Sequence, residues 1–163
     1  MALRKSYRLF FGLALGLAAL DQWLKFWVAG TFDLGESLPL IPGFLSLTHV
    51  RNTGTAFGLL AGTKSLWLRL FFIVVTVAAL LLVFLLYRSL KPGRPISLVA
   101  LPLVFGGGLG NLVDRVLWGE VVDFVDIYYG RWHWPAFNLA DSCITVGVTL
   151  LVMELLFPRS SPP

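Results

Sequence analysis

Apolar positions in this chain fall into four long runs, and the polar residues that interrupt them collect near the run ends. Each run is close to the roughly 20 residues that a membrane-crossing helix needs. The pattern predicts helices over about 7–29, 66–87, 96–113 and 138–157. The basic opening MALRKSYR has the form of a cleavable leader. No A-x-A-like site follows it, however, and apolar character continues through Trp23, Leu24, Phe26, Trp27 and Val28, so an uncleaved first helix is expected. The second run carries one charge, Arg69, near its start, where a long side chain can reach the interface. The third holds Pro102, tolerated in membrane helices where neighbours satisfy the freed carbonyl. It then carries Gly106, Gly107, Gly108 and Gly110, which let another backbone or a substrate approach closely.

Between the runs lie two long loops, about 30–65 and 114–137. The first is too long to be a mere connector. Its segments Leu38–Leu40 and Phe44–Val50 read as short strands, and Asn52-Thr53-Gly54-Thr55-Ala56-Phe57-Gly58 reads as a tight turn. The whole is expected to be one polytopic all-α membrane domain, 1–163, with a small sheet-and-loop subdomain outside the bilayer.

Composition agrees with the pattern. The chain is 57% hydrophobic and 13% charged with mean hydropathy +0.80, whereas a soluble domain is nearer a quarter charged. The net charge of +4 does not point to nucleic acid, because the basic residues flank apolar runs. Arg4, Lys5, Arg8, Arg88, Lys91, Arg94 and Arg159 all fall on one side of a four-span topology. The positive-inside rule puts that side, with both termini, in the cytoplasm. The two long loops then face outward, with Trp118, Tyr128, Tyr129, Trp132 and Trp134 as an aromatic belt. The lone Cys143 excludes an internal disulfide and a cysteine-only metal cluster.

Polar residues inside such segments are costly and mark function by default. Asn111, Asp114 and Arg115 at the end of the third run meet Asn138 and Asp141 at the start of the fourth, at one expected depth. Asp21 and Lys25, four apart and able to pair, end the first run at the same level, as does the Asn52 loop. Asp123, flanked by Val121, Val122, Phe124 and Val125, is expected against an apolar surface. Two carboxylates in one site share a proton, because like charges at close range cannot both ionise. One can take a proton from water while the other donates to a scissile carbonyl. Asp123 and Asp141 are the expected pair. The dipole at the start of the last helix favours a charged Asp141, leaving Asp123 to hold the proton. Asp114 is expected to be structural, in an ion pair with Arg115, and Asp126 to be solvated. Glu154 lies far from the rest, and Cys143 reads as a small core residue despite nearby His133. Asn111 and Asn138 are open between capping helix ends and donating to a substrate carbonyl.

At these residues the chain resembles the bacterial lipoprotein signal peptidase family (signal peptidase II). The likeness rests on D-Q-x-x-K at Asp21–Lys25, N-T-G-x-A-F at Asn52–Phe57, GGxxGNLxDR at Gly106–Arg115, VVDF at Val121–Phe124 and FNxADS at Phe137–Ser142. It implies an aspartic dyad at Asp123 and Asp141. It also implies substrate-cradling roles for Asp21, Lys25, Asn52, Gly54, Asn111, Arg115 and Asn138, with Asp114 and Ala140 as structural neighbours. The implied substrate is a diacylglyceryl-modified prolipoprotein cut just before its lipidated cysteine, with its acyl chains left in membrane lipid. The implied setting is the outer face of the bacterial inner membrane, with no cofactor or metal. Phe44–Val50 and Asn52–Phe57 would form a sheet over the site, and globomycin-type cyclic peptides would occupy the same groove. Two other classes stand beside this one. A carboxylate-dependent transporter would be expected to carry its acids nearer the bilayer midplane. A metal-dependent lipid phosphatase would bind Mg²⁺ through Asp123, Asp141 and His133.

Overall fold

In a computed structural model that describes residues 6–54 and 66–157, the chain forms four long helices and one small antiparallel sheet. The helices are α1 (Tyr7–Thr31), α2 (Leu66–Ser89), α3 (Ser97–Leu117) and α4 (Leu139–Leu156); the strands are β1 (Ser37–Ile41), β2 (Leu45–Asn52), β3 (Val121–Tyr129) and β4 (Trp132–His133). All four helices are long and apolar enough to cross a membrane. Large apolar side chains such as Phe26, Trp67, Phe71, Val74 and Leu155 lie exposed on their outer faces. Only a hydrocarbon surround makes that favourable, since helices satisfy their own backbone while lipid takes their side chains. The protein is a multi-pass membrane protein.

Helix α3 is the centre of the bundle and packs against each of the other three. Glycine makes this possible. A Cβ at Gly106 would sit 2.7 Å from the Ala14 carbonyl oxygen of α1, and one at Gly107 would collide with the Ala140 carbonyl of α4. Away from the sheet the core is apolar, with Phe10, Val83, Tyr87, Leu98 and Leu101 in one cluster. Ser6 marks the start of α1 there, its N–H and carbonyl both bonded to the Tyr87 hydroxyl at 3.1 and 2.8 Å.

The sheet has the order β1-β2-β3-β4, every pair antiparallel. Strands β1 and β2 pair within the first long loop. Strand β2 lies against β3, with Asn52 opposite Val121 and Val50 opposite Asp123, so the first long loop is tied to the second. Thr55, Ala56 and Phe57, expected to pair with Phe44–Val50, lie outside the described residues. The sheet docks on the bundle through Val28, Val122 and Phe124, with Leu24, Phe32, Leu47 and Leu139 around them. Burial on both faces explains why the first four residues of β3, Asp123 among them, are buried without alternation. Helix α3 also runs about a turn past its expected end, which makes Asp114 and Arg115 helical residues rather than loop residues.

Candidate active site

Asp123 and Asp141 come from different kinds of element. Asp123 is the third residue of β3, and Asp141 lies in the first turn of α4. Asn138 caps α4: its Oδ1 accepts the Asp141 N–H at 2.9 Å, and its own N–H donates to Asp141 Oδ2 at 3.3 Å. This capping box makes the cap residue and the acid one unit. The Asn138 Nδ2 then reaches across to Asp123 Oδ1 at 2.7 Å, and also to Val122 O and Asn111 Oδ1, both at 3.2 Å. Asn111, six residues before the end of α3, donates from Nδ2 to Asp141 Oδ1 at 2.8 Å. Asn138 therefore bridges the two carboxylates, and Asn111 adds a second amide to Asp141 alone.

The outer strand supplies the third amide. Asn52 donates from Nδ2 to Asp123 Oδ2 at 2.9 Å, a diagonal reach across the β2–β3 pair, while its Oδ1 accepts the Gly54 N–H at 2.8 Å. That second bond fixes which way the amide faces. Gly54 stands at φ +98, and a Cβ there would lie 2.6 Å from the Phe72 ring of α2, so backbone and space both call for glycine. Arg115 lies with its guanidinium 5.5 Å from the same ring and bonds the Asn111 carbonyl at 3.4 Å. It sits within electrostatic reach of Asp141, Asp114 and Asp123, with most of its donors uncommitted to any bond among the described residues.

Asp123 is 1% exposed. Burial pushes its carboxyl up to about 7, and the charge of Asp141 pushes the same way, while hydrogen bonds from Asn52 and Asn138 and the Lys25 charge pull it back. A carboxyl half-protonated near neutrality, facing a second carboxylate, can both donate and accept a proton. That is the arrangement an aspartic peptidase needs.

Behind this pair lies a second buried polar cluster. Lys25 Nζ makes three contacts, to Asp21 Oδ2 at 2.7 Å, Asp114 Oδ2 at 2.9 Å and Asn111 Oδ1 at 2.8 Å. Asp21 Oδ1 accepts the Ala140 N–H at 2.9 Å, and Asp114 Oδ2 accepts the Val122 N–H at 3.1 Å. Gln22, which the sequence reading passed over although it stands inside the D-Q-x-x-K string, donates to Asp114 Oδ1 at 2.7 Å and to Gly110 O at 3.0 Å. The cation that Asp114 answers is thus Lys25, not the expected Arg115. Neighbouring residues on a helix do not face each other.

Two other expectations also change. Asp126 is not simply solvated: both of its carboxylate oxygens lie 3.0 Å from His133 Nδ1. This puts His133 on β4, half exposed and paired to Asp126, rather than beside Asp123 and Asp141 as the phosphatase reading required. Glu154 is buried at the other end of the molecule. It accepts the Ile96 and Ser97 N–H groups at 3.1 and 3.2 Å and the Ser97 hydroxyl, capping α3 from α4. No grouping of three His, Cys, Asp or Glu suited to a metal occurs among the described residues.

Comparison with known proteins agrees with this geometry. A profile of the family described as Signal peptidase (SPase) II matches residues 13–157. Similar proteins include the lipoprotein signal peptidase of Syntrophus aciditrophicus, 47% identical over 155 residues, with 94% of this chain and 96% of that one covered. That of Geobacter sulfurreducens is 45% identical over 155 residues, with 94% and 95% covered. A solved bacterial membrane enzyme superposes with a TM-score of 0.84 at 34% identity, covering 100% of this chain and 98% of its own. The match extends over both carboxylates and every element that holds them, and the chain belongs to the signal peptidase II family, the lipoprotein signal peptidases, which are aspartic peptidases of the membrane.

Proposed function

We propose that this protein removes the signal peptide from diacylglyceryl-modified prolipoproteins, cutting on the amino side of the lipidated cysteine with a water activated between Asp123 and Asp141. One observation carries the reading: Asp123 and Asp141 are joined through Asn138, their other side-chain partners are the neutral amides of Asn52 and Asn111, and neither makes an ion pair among the described residues. An ion-paired carboxylate is held ionised, whereas an amide-bridged one can change protonation during a reaction.

In the proposed reaction the ionised aspartate takes a proton from water, whose oxygen bonds to the scissile carbonyl carbon. The protonated aspartate gives its proton to the carbonyl oxygen, forming a neutral tetrahedral diol. Collapse of the diol breaks the C–N bond, and the leaving amine receives the proton taken from water. Arg115 and the Asn52 amide are suited to hold substrate carbonyls, and Gly54 keeps the passage beside Phe72 open. The diacylglyceryl chains stay in lipid while the peptide crosses the junction of bundle and sheet. Globomycin-type cyclic peptides would compete for that groove.

Orientation follows from charge. Arg8, Arg88, Lys91 and Arg94 lie at the bundle end opposite the sheet. The positive-inside rule then puts both termini in the cytoplasm and the sheet at the periplasmic face of the inner membrane. A transporter would be favoured by acids near mid-bilayer, and these sit at one end.

The test is cleavage of a diacylated lipobox peptide by purified protein in chelator and in ¹⁸O-labelled water, with an unlipidated control. The expected result is a single cut before the modified cysteine, one ¹⁸O in the new carboxyl terminus, and no cleavage by Asp123→Asn. Full activity of that variant, or loss of activity with chelator, would overturn the reading.

A further inference from the structure

The cluster behind the dyad has a regularity that its chemistry explains. An ammonium carries three protons and no acceptor, and all three on Lys25 are taken within the protein, by Asp21, Asp114 and Asn111. Lys25 is 2% exposed and Asp21 and Asp114 are 1% exposed each. Lys25 has no proton left for a substrate carbonyl. What each partner does next is the informative step. Asp21 holds the backbone N–H of Ala140, the residue just before Asp141. Asp114 holds the backbone N–H of Val122, the residue just before Asp123. Asn111, turned by Lys25 so that its oxygen faces the ammonium, presents its Nδ2 to Asp141. Gly110 leaves the Asp21 carboxylate its path to Ala140, since a Cβ there would lie 2.5 Å from Asp21 Oδ2.

Resting on the dyad reading above, we infer that Lys25 is a positioning residue for the peptidase reaction. Through Asp21 and Asp114 it holds the backbone amide one residue ahead of each dyad aspartate, and it thereby sets the spacing between the two carboxylates. Asp21 and Asp114 act through Lys25 and the backbone, not on substrate. Helix α1 contributes no group to the dyad itself, yet it ties α4 to β3 at the one point where their separation governs the chemistry. Gln22 braces the same unit by holding the second Asp114 oxygen against the Gly110 carbonyl.

The test is steady-state cleavage of the diacylated lipobox peptide, with binding of an uncleavable analogue measured in parallel. Displacing a catalytic group by about 1 Å costs on the order of 10²-fold in rate, so Lys25→Met is expected to lose about that much kcat. Its KM and its affinity for the analogue should stay within about twofold of wild type, as expected for loss of an interaction made only in the transition state. The double variant Lys25→Met/Asp21→Asn keeps the net charge of the cluster and an acceptor for the Ala140 N–H. It is expected to recover roughly tenfold of the lost kcat, because the stranded carboxylate has been removed. Asp114→Asn, the mild change, keeps an acceptor for the Val122 N–H; it should lower kcat about tenfold, again with KM unchanged. It decides the matter should Lys25→Met fail to fold.

A raised KM with kcat intact in Lys25→Met or Asp114→Asn would overturn the inference in favour of substrate contact. So would wild-type kinetics in Asp114→Asn, or no recovery in a folded double variant. A wild-type enzyme that leaves the lipidated peptide uncut would instead defeat the proposed reaction itself.

Discussion

Four carboxylates, three of them buried and Asp141 half-buried, lie at one end of this bundle, and they divide into two pairs by what answers them. Asp21 and Asp114 share a lysine; Asp123 and Asp141 share Asn138, with Asn52 on the first and Asn111 on the second. All four belong to one connected set of hydrogen bonds. What separates the pairs is the counter-group. A carboxylate beside an ammonium is matched by a fixed opposite charge, whereas one answered by amides alone is not. In the proposed reaction identical side chains thus serve as scaffold or reagent according to whether the next group carries charge, and Asn111 is the joint, its oxygen on the lysine and its nitrogen on Asp141.

The most damaging way to break the comparison is to remove a reagent. Asp123→Asn or Asp141→Asn is expected to lower cleavage of the lipidated peptide by at least about 10²-fold, the scale of general acid–base catalysis, while the folded protein remains. Cleavage rates alongside a thermal melt check this. Asn138→Ala comes next. It removes the α4 cap, usually worth about 1 kcal/mol, together with the bridge to Asp123, so activity should fall about tenfold or more along with a lower Tm. A melt that moves without any change in rate would show the bridge to be dispensable.

The pH dependence sharpens the comparison further. In the fold Asp123 keeps its proton up to about 7, against 3.8 for an ordinary aspartate. Between these values the folded chain holds more protons than the unfolded one. The stabilisation from this group is therefore complete below the lower value and is lost as pH rises through the higher. Denaturation midpoints of the substrate-free enzyme should fall between about pH 4 and 7, and Asp123→Asn should flatten that slope. The rate constant kcat/KM should decline above about 7, as the donor proton is lost. The smallest effect belongs to a carboxylate outside both pairs. Asp126→Asn breaks a half-exposed contact with His133; it should shift stability by no more than about 0.5 kcal/mol and leave cleavage unchanged.

Much of this was legible in the chain because the bilayer imposes simple rules. Helix spans, the crowding of acids and amides at one end, and the candidacy of Asp123 and Asp141 all followed from hydropathy and from the cost of polar groups in lipid. Glu154 was not legible. Distance in sequence from the other acids suggested a bystander, yet it caps the start of α3 from across the bundle. Gln22 was missed because an amide beside a charged residue gives no signal of its own. Its role appears only when α3 brings Asp114 and the Gly110 carbonyl within reach.

What the sequence determined alone was the architecture and the list of reagents: four spans, a sheet between them, and polar residues at one level, because each of these depends on local composition against a lipid solvent. What only the tertiary structure decided was the assignment of partners. Pairing β2 with β3 as well as with β1 of its own loop set Asn52 on Asp123, and the glycines of α3 let Asp21 reach Ala140. Which carboxylate meets a lysine and which an amide depends on contacts between segments as many as 119 residues apart, and no local pattern encodes a contact of that range.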